Sequence, residues 1–174
     1  MTLRHIAVIG AGTMGSGIAQ TCAAAGHDLL LIDISEQALE RGLHAMQKNL
    51  DRQVGKGTLT CQQATDTLQR IRTSTHHTDL NDRDMVIEAA TENFALKCSI
   101  LQQIATHVRP DCLIASNTSS LSITSLAAGL RRPERVIGMH FFNPAPLMAL
   151  VEVVSGLATA PALAATLYDT ATAW

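Results

Sequence analysis

Three groups of residues in this chain have types and spacings that could do chemistry. The first is Gly10-Ala11-Gly12-Thr13-Met14-Gly15, a G-x-G-x-x-G string. It directly follows the apolar run 6–9 and opens an apolar stretch over 18–25. In that setting each glycine has a task. Gly10 allows a tight turn, Gly12 leaves room for a pyrophosphate, and Gly15 lets a helix pack close to a sheet. The helix start then offers unpaired N–H groups and positive dipole to phosphates. The next apolar run, 29–32, ends at Asp33, 18 residues beyond Gly15. A carboxylate there can accept hydrogen bonds from both hydroxyls of a ribose. It would also repel a 2′-phosphate, so NAD is expected over NADP. The bland alternative is a tight turn and an unrelated surface aspartate. Strand, glycines, helix and acid in register argue against it.

The second group is His140 and Glu152. His140 stands at the end of a strand-like run, 135–139, and ligands bind beyond such ends in open α/β sheets. Pro144 and Pro146 follow, so the strand cannot continue and the chain must turn. The run 150–154 then reads as an antiparallel return that brings Glu152 beside His140. A histidine held by a carboxylate suits alcohol oxidation. The imidazole accepts the hydroxyl proton as hydride leaves carbon, and the carboxylate fixes its tautomer. A structural histidine with an unrelated glutamate fits the spacing equally well.

The third group is Asn117-Thr118-Ser119-Ser120, after the run 112–116. Its hydroxyls and amide could bond a substrate carbonyl or a nicotinamide. Ser120 or Ser122 could equally cap a helix starting near Ile123. There is no G-x-S-x-G and no evident base beside these serines, which argues against a hydrolase. Glu92 and Lys97, spaced i, i+5, read as a solvated pair sharing no face. His76-His77 reads as a loop, and no metal site is expected there.

The elements that must carry these residues alternate. Strand-like runs are 4–9, 28–33, 70–74, 85–89, 112–116, 135–139 and 149–154. Helical stretches are 13–25, 36–56, 61–69, 93–108, 122–129 and 161–174. That order predicts an α/β fold: a Rossmann-type, doubly wound, mostly parallel sheet with an antiparallel strand near the C-terminus. Gly26 suits a helix C′ position, Thr60 with Gln63 a capping box, and Pro110 a stop after a helix ending near Val108. No repeat or linker interrupts the pattern, so residues 1–174 form one domain.

Composition narrows the function classes. The 174 residues are 47% hydrophobic but only 3% aromatic, so aliphatic side chains must fill the core. Net charge is −2, with no basic footprint for nucleic acid. Arg131, Arg132 and Arg135 form the densest basic cluster and read as a solvated loop. No apolar run reaches the roughly 18 residues of a membrane helix, and no charged leader precedes a cleavage-like site. Cys22, Cys61, Cys98 and Cys112 are scattered without a C-x-x-C, so a reducing cytoplasm is expected.

In combination these strings resemble the N-terminal domain of the short-chain L-3-hydroxyacyl-CoA dehydrogenases, also called 3-hydroxybutyryl-CoA dehydrogenases. The resemblance rests on the glycine string through Gly15, Val86-Ile87-Glu88-Ala89-Ala90, Ala115 to Ser120, His140-Phe141-Phe142-Asn143-Pro144 and Leu150-Val151-Glu152-Val153. Ser155 to Thr159 also looks like the 3-hydroxyadipyl-CoA branch of phenylacetate breakdown. The resemblance implies that His140 is the general base and Glu152 its partner. It implies that Ser119 touches substrate and nicotinamide, that Asn117 and Asn143 lie by the cofactor, and that Glu92 and Lys97 contact the nicotinamide ribose side. Lys56, and Asn49 where some relatives carry serine, match positions that contact CoA. The reaction implied is NAD-dependent oxidation of a 3-hydroxyacyl-CoA to the 3-oxoacyl-CoA.

The family continues with a strand, a Gly-Phe-Ile-Val-Asn-Arg segment and a helical domain that forms a homodimer. The chain stops before these, so it is expected to be a piece with weak or absent turnover of its own. Ala149 stands where many relatives carry lysine, which changes only the expected surface charge. Three other readings compete: an NAD-binding module without turnover, a lens-crystallin-like structural relative, and a dehydrogenase of a free hydroxy acid or sugar acid. His140, Glu152 and Ser119 together argue against the structural relative.

Overall fold

The computed structural model describes residues 3–174. A seven-stranded sheet holds β1 (His5–Ile9), β2 (Asp28–Ile32), β3 (Ile71–Ser74), β4 (Met85–Glu88), β5 (Leu113–Ser116), β6 (Val136–Phe141) and β7 (Val151–Ser155). Their spatial order is β3-β2-β1-β4-β5-β6-β7. All pairings are parallel except β6 with β7. The strand order reverses at β1, which lies between β2 and β4. This is the switch point beyond which such sheets bind ligands.

Among the described residues the sheet is flanked by six helices: α1 (Thr13–Ala24), α2 (Glu36–Gly55), which packs on α1 and α3, α3 (Cys61–Gln69), α4 (Phe94–His107), α5 (Ile123–Ala127) and α6 (Pro161–Thr172). Side chains alternate across each strand, so every central strand feeds two cores. Ile6, Val8, Leu29, Leu31, Met85 and Ile87 join Ile18, Cys22, Leu163 and Leu167 on one face. Ala7, Ile9, Leu30, Ile32 and Val86 join Leu101, Ile104 and Leu126 on the other. Burial on both faces is why these strands read as unbroken apolar runs.

The boundaries follow local chemistry. Gly26 has φ +97° just past α1, a left-handed C′ position. Thr60 and Gln63 form the full capping box of α3. Ser122, not Ser120, caps α5 by accepting from the Ser125 N–H at 3.2 Å. Two short 3-10 turns, His77–Leu80 and Pro133–Arg135, stand where the sequence reads as loop. Among the described residues no helix is long and apolar enough to cross a membrane.

Candidate active site

The glycine string makes the turn from β1 into α1. Gly10 has φ +103°, and a Cβ there would sit 2.8 Å from the Ala89 carbonyl oxygen. Its N–H donates to the Ile32 carbonyl at 2.7 Å, tying the turn to β2. A Cβ on Gly15 would lie 1.8 Å from the Gly10 carbonyl oxygen, so this helix position is closed to any other residue. At Gly12 a Cβ would meet nothing within 4 Å. The space its missing side chain leaves is therefore not used by the protein. No side chain caps α1 and no acidic residue occupies its first turn. The open helix start, the bare Gly12 and Asp33 together fit a dinucleotide.

Asp33 is already partly committed. Its Oδ2 accepts from the Ala11 N–H at 2.8 Å and its Oδ1 from the Ser35 N–H at 3.0 Å. Each carboxylate oxygen has a further lone-pair direction. Those remaining directions are what a ribose would use, so Asp33 is oriented by the cradle it serves.

A cleft of about 990 Å³ covers the carboxyl ends of β1, β2 and β4. Gly10, Gly12, Thr13, Asp33 and Asn143 line it, and Asn49 lines it from α2. Met14 instead turns partly into the core. Asn49 donates to Gln20 Oε1 at 3.0 Å. Lys56 caps the end of α2 and does not border the cleft. Arg41, Lys48 and Arg52 do border it, and the sequence reading missed them. Their spacing of seven and then four residues puts them on one helix face. That spacing is the signal that could have found them.

His140 lies inside β6, which ends two residues beyond the predicted strand end. Pairing with β7 carries the strand on to Phe141, opposite Val151. In that register His140 faces Glu152 directly. Their side chains meet, with His140 Nδ1 at 2.8 Å from Glu152 Oε2. A carboxylate only accepts, so Nδ1 carries the proton and Nε2 is left as the acceptor. His140 is 20% exposed and Glu152 is 53% exposed. Phe142 packs on the imidazole at 4.7 Å between ring centroids, limiting its rotation.

Ser119 is held by Glu92. One oxygen, Oε1, accepts from Thr118 Oγ1 at 2.6 Å, the Ser119 N–H at 2.9 Å and the Ser120 N–H at 3.3 Å. The Ser119 and Ser120 hydroxyls reach the same atom at 3.3 and 3.4 Å. Asn117 Oδ1 accepts from the Phe141 N–H at 2.8 Å, tying this loop to the strand that carries His140.

Lys97 corrects the solvated reading. It is fully buried, with Nζ 2.8 Å from Glu88 Oε1 and 3.4 Å from Glu92 Oε2. Glu92 sits before α4 begins, so helical geometry does not fix its separation from Lys97. Glu88 was not among the expected site residues. Its place at the end of the buried strand β4 was the available signal.

Burial raises the Glu92 carboxyl, but the Thr118 hydroxyl, the Ser119 N–H and the Lys97 ammonium outweigh it and hold it at about 2. A depressed carboxyl stabilises the fold above its ordinary value of 4.5 and loses that contribution as pH falls toward about 2. Glu92→Gln should therefore lower the melting temperature at pH 6, and the gap to the parent should narrow below pH 4.5. Thermal melts across that range check it. A gap that stays constant would remove the assignment.

Residues 5–174 match the family model described as 3-hydroxyacyl-CoA dehydrogenase, NAD binding domain. The chain is 45% identical, over its whole length, to 3-hydroxyadipyl-CoA dehydrogenase of Escherichia coli K12, and covers 37% of that protein. It is 42% identical over 94% of its length to 3-hydroxybutyryl-CoA dehydrogenase of Clostridioides difficile, covering 58% of it. The crystal structure of (S)-3-hydroxybutyryl-CoA dehydrogenase from Ralstonia eutropha superposes with a TM-score of 0.97 at 47% identity. That match spans 99% of this chain and 61% of the other. The chain thus spans less than two thirds of each of these relatives. With the glycine cradle, the sheet order and the matched family model in agreement, the chain belongs to the family of NAD-binding domains of 3-hydroxyacyl-CoA dehydrogenases.

Proposed function

We propose that this chain is the cofactor-binding and proton-transfer part of an enzyme that oxidises (S)-3-hydroxyacyl-CoA to 3-oxoacyl-CoA. One observation carries the reading: the 2.8 Å His140–Glu152 pair at the carboxyl edge of the sheet that holds the glycine cradle. Nε2 of His140 takes the proton of the 3-hydroxyl. Glu152 holds the ring in that tautomer and offsets the charge that develops on it. Ser119 donates to the same oxygen and orients it. Asn143, which lines the cleft, and Asn117, which does not, would lie by the cofactor. Gly10, Gly12, Thr13, Gly15 and Asp33 would hold NAD, with Glu92 on the nicotinamide ribose side; bound there, NAD supplies the hydride acceptor. Lys97 reaches that side only through Glu92.

The acyl-CoA would enter past α2, where Asn49 and the cations Arg41, Lys48 and Arg52 border the cleft. Lys56 extends that basic face toward the CoA nucleotide. The relatives' printed substrates, 3-hydroxyadipyl-CoA and 3-hydroxybutyryl-CoA, bracket the acyl groups to assay. The same reading carries a cytoplasmic enzyme that acts as a homodimer in its longer form.

Calorimetric titration tests the cofactor half. NADH should bind at least about tenfold more tightly than NADPH, because the Asp33 carboxylate repels a 2′-phosphate. Equal affinities would remove the role given to Asp33. Turnover of acetoacetyl-CoA with NADH by the complete protein tests the other half, and no turnover would reject the reaction.

A further inference from the structure

Beneath the site lies a buried carboxylate that the proposed reaction leaves unused. Glu88 ends β4 and is fully buried. Its Oε1 accepts from Lys97 Nζ at 2.8 Å and from the Ala90 N–H at 2.7 Å. Its Oε2 accepts from Ser116 Oγ at 2.6 Å and again from Lys97 Nζ at 3.0 Å. Lys97, equally buried, donates also to the Ala90 carbonyl at 3.2 Å and lies 3.4 Å from Glu92 Oε2. The ammonium therefore sits between two carboxylates.

Each carboxylate grips the same short segment. Glu88 holds residue 116 at its start, and Glu92 holds residues 118–120 at its end. Lys97 joins the two grips. The result is a closed ring: Glu88, Ser116, the loop to Ser120, Glu92, Lys97 and back to Glu88. Ser119 is carried on that ring.

Stability alone is a poor reason for such a pair. Taking both charges out of water costs so much that apolar replacements of similar volume are often neutral or stabilising. A buried pair is better explained where it fixes one arrangement among several. Lys97 has no exposed surface. Its ammonium is shared among Glu88, Glu92 and the Ala90 carbonyl, so its tie to the Ser119 loop runs through Glu92. The bonds at Glu92 are graded to suit that. The Thr118 hydroxyl and the Ser119 N–H are short, whereas the Ser119 and Ser120 hydroxyls are long at 3.3 and 3.4 Å. The backbone is clamped while the Ser119 hydroxyl stays weakly held and free to turn to a substrate oxygen.

We infer that Glu88 and Lys97 are positioning residues that set Glu92, and through it Ser119, relative to His140. The inference rests on the dehydrogenase reading for its consequence, but its structural content can be measured separately. Neither residue touches the reacting atoms.

The test is the double variant Glu88→Gln with Lys97→Met in the complete protein, which removes both charges while keeping similar side-chain size. Replacing the buried pair as a unit avoids leaving an uncompensated buried charge, so the variant should still fold. Hydrogen exchange at the Ser119 and Ser120 amides should speed up by at least about tenfold, because Glu92 loses its tie. The rate constant kcat should fall by at least about tenfold. A deuterium isotope effect at the substrate C3 should rise as hydride transfer becomes limiting. Unchanged exchange and unchanged kcat in a folded double variant would overturn the inference, since a purely structural pair predicts that outcome. If the double variant does not fold, Ser116→Ala loosens the other grip and leaves the ion pair whole. Exchange at residues 117–120 should then rise by at least about threefold, and no rise overturns the inference. Absence of turnover in the unsubstituted protein would instead reject the dehydrogenase reading, and the exchange rates alone would then decide the positioning.

Discussion

Replacing His140 with glutamine should lower turnover of a 3-hydroxyacyl-CoA by the complete protein by at least about 10². Glutamine keeps a polar side chain of similar reach and can still bond Glu152. It cannot take a proton at neutral pH. The loss therefore isolates proton transfer from packing. His140 is only partly buried, and its ring rests on Phe142 at the surface of β6, so the fold should tolerate the change. NADH affinity should stay within about threefold of the parent, because the cradle lies across the sheet at β1. Glu152→Gln should give a smaller fall. It leaves an acceptor oxygen near Nδ1 but removes the charge that offsets the imidazolium. Steady-state kinetics beside NADH titrations separate these effects. Full activity in His140→Gln would remove the general base from the mechanism. A parallel collapse of NADH binding would show that the residue serves the fold.

The elements that position this site are largely legible in the amino-acid sequence. Continuous apolar runs for β1, β2, β4 and β5 arise because helices cover both sheet faces, and the sequence carries that directly. The antiparallel return of Glu152 to His140 was also readable, because Pro144 and Pro146 forbid a continuing strand. What the sequence did not carry was the burial of Lys97. A lysine five residues from a glutamate looks like surface chemistry. Only the approach of β4 to α4 places Glu88 beneath it, and that contact depends on tertiary packing. The extra length of β6 escaped for a similar reason. Residues 140 and 141 are held in the strand by β7, which comes later in the chain. Likewise, no local rule says that Asp33 spends one hydrogen bond on Ala11. That bond exists because Gly10 turns the chain back over the end of β2.

Gly12 and Gly15, three residues apart, should fail in opposite ways, and the contrast tests the cradle itself. Helix propensity alone predicts that Gly15→Ala in α1 would stabilise the protein by up to about 1 kcal/mol. Geometry predicts the reverse. The new Cβ would lie 1.8 Å from the Gly10 carbonyl oxygen and 2.9 Å from its carbon, both backbone atoms that no rotamer change can move aside. Overpacking of an ordinary core site costs about 1–3 kcal/mol. A clash with backbone should reach at least about 3 kcal/mol, so the clash decides the sign. For a domain of this size that is a fall in melting temperature of at least roughly 6 °C. Gly12→Val should behave differently. Gly12 has φ −71° and ψ −173°, an extended conformation open to any residue. Its Cβ would meet nothing within 4 Å, so folding and melting should be almost unchanged. The added isopropyl group would instead fill the space where a pyrophosphate must approach the backbone. NADH affinity should fall by at least about tenfold, or about 1.4 kcal/mol. A stable Gly12→Val protein that binds NADH as well as the parent would show that the cofactor passes elsewhere. In that case the open space over Gly12 would have no role, and the glycine string would be reduced to the chain turn that Gly10 and Gly15 already require.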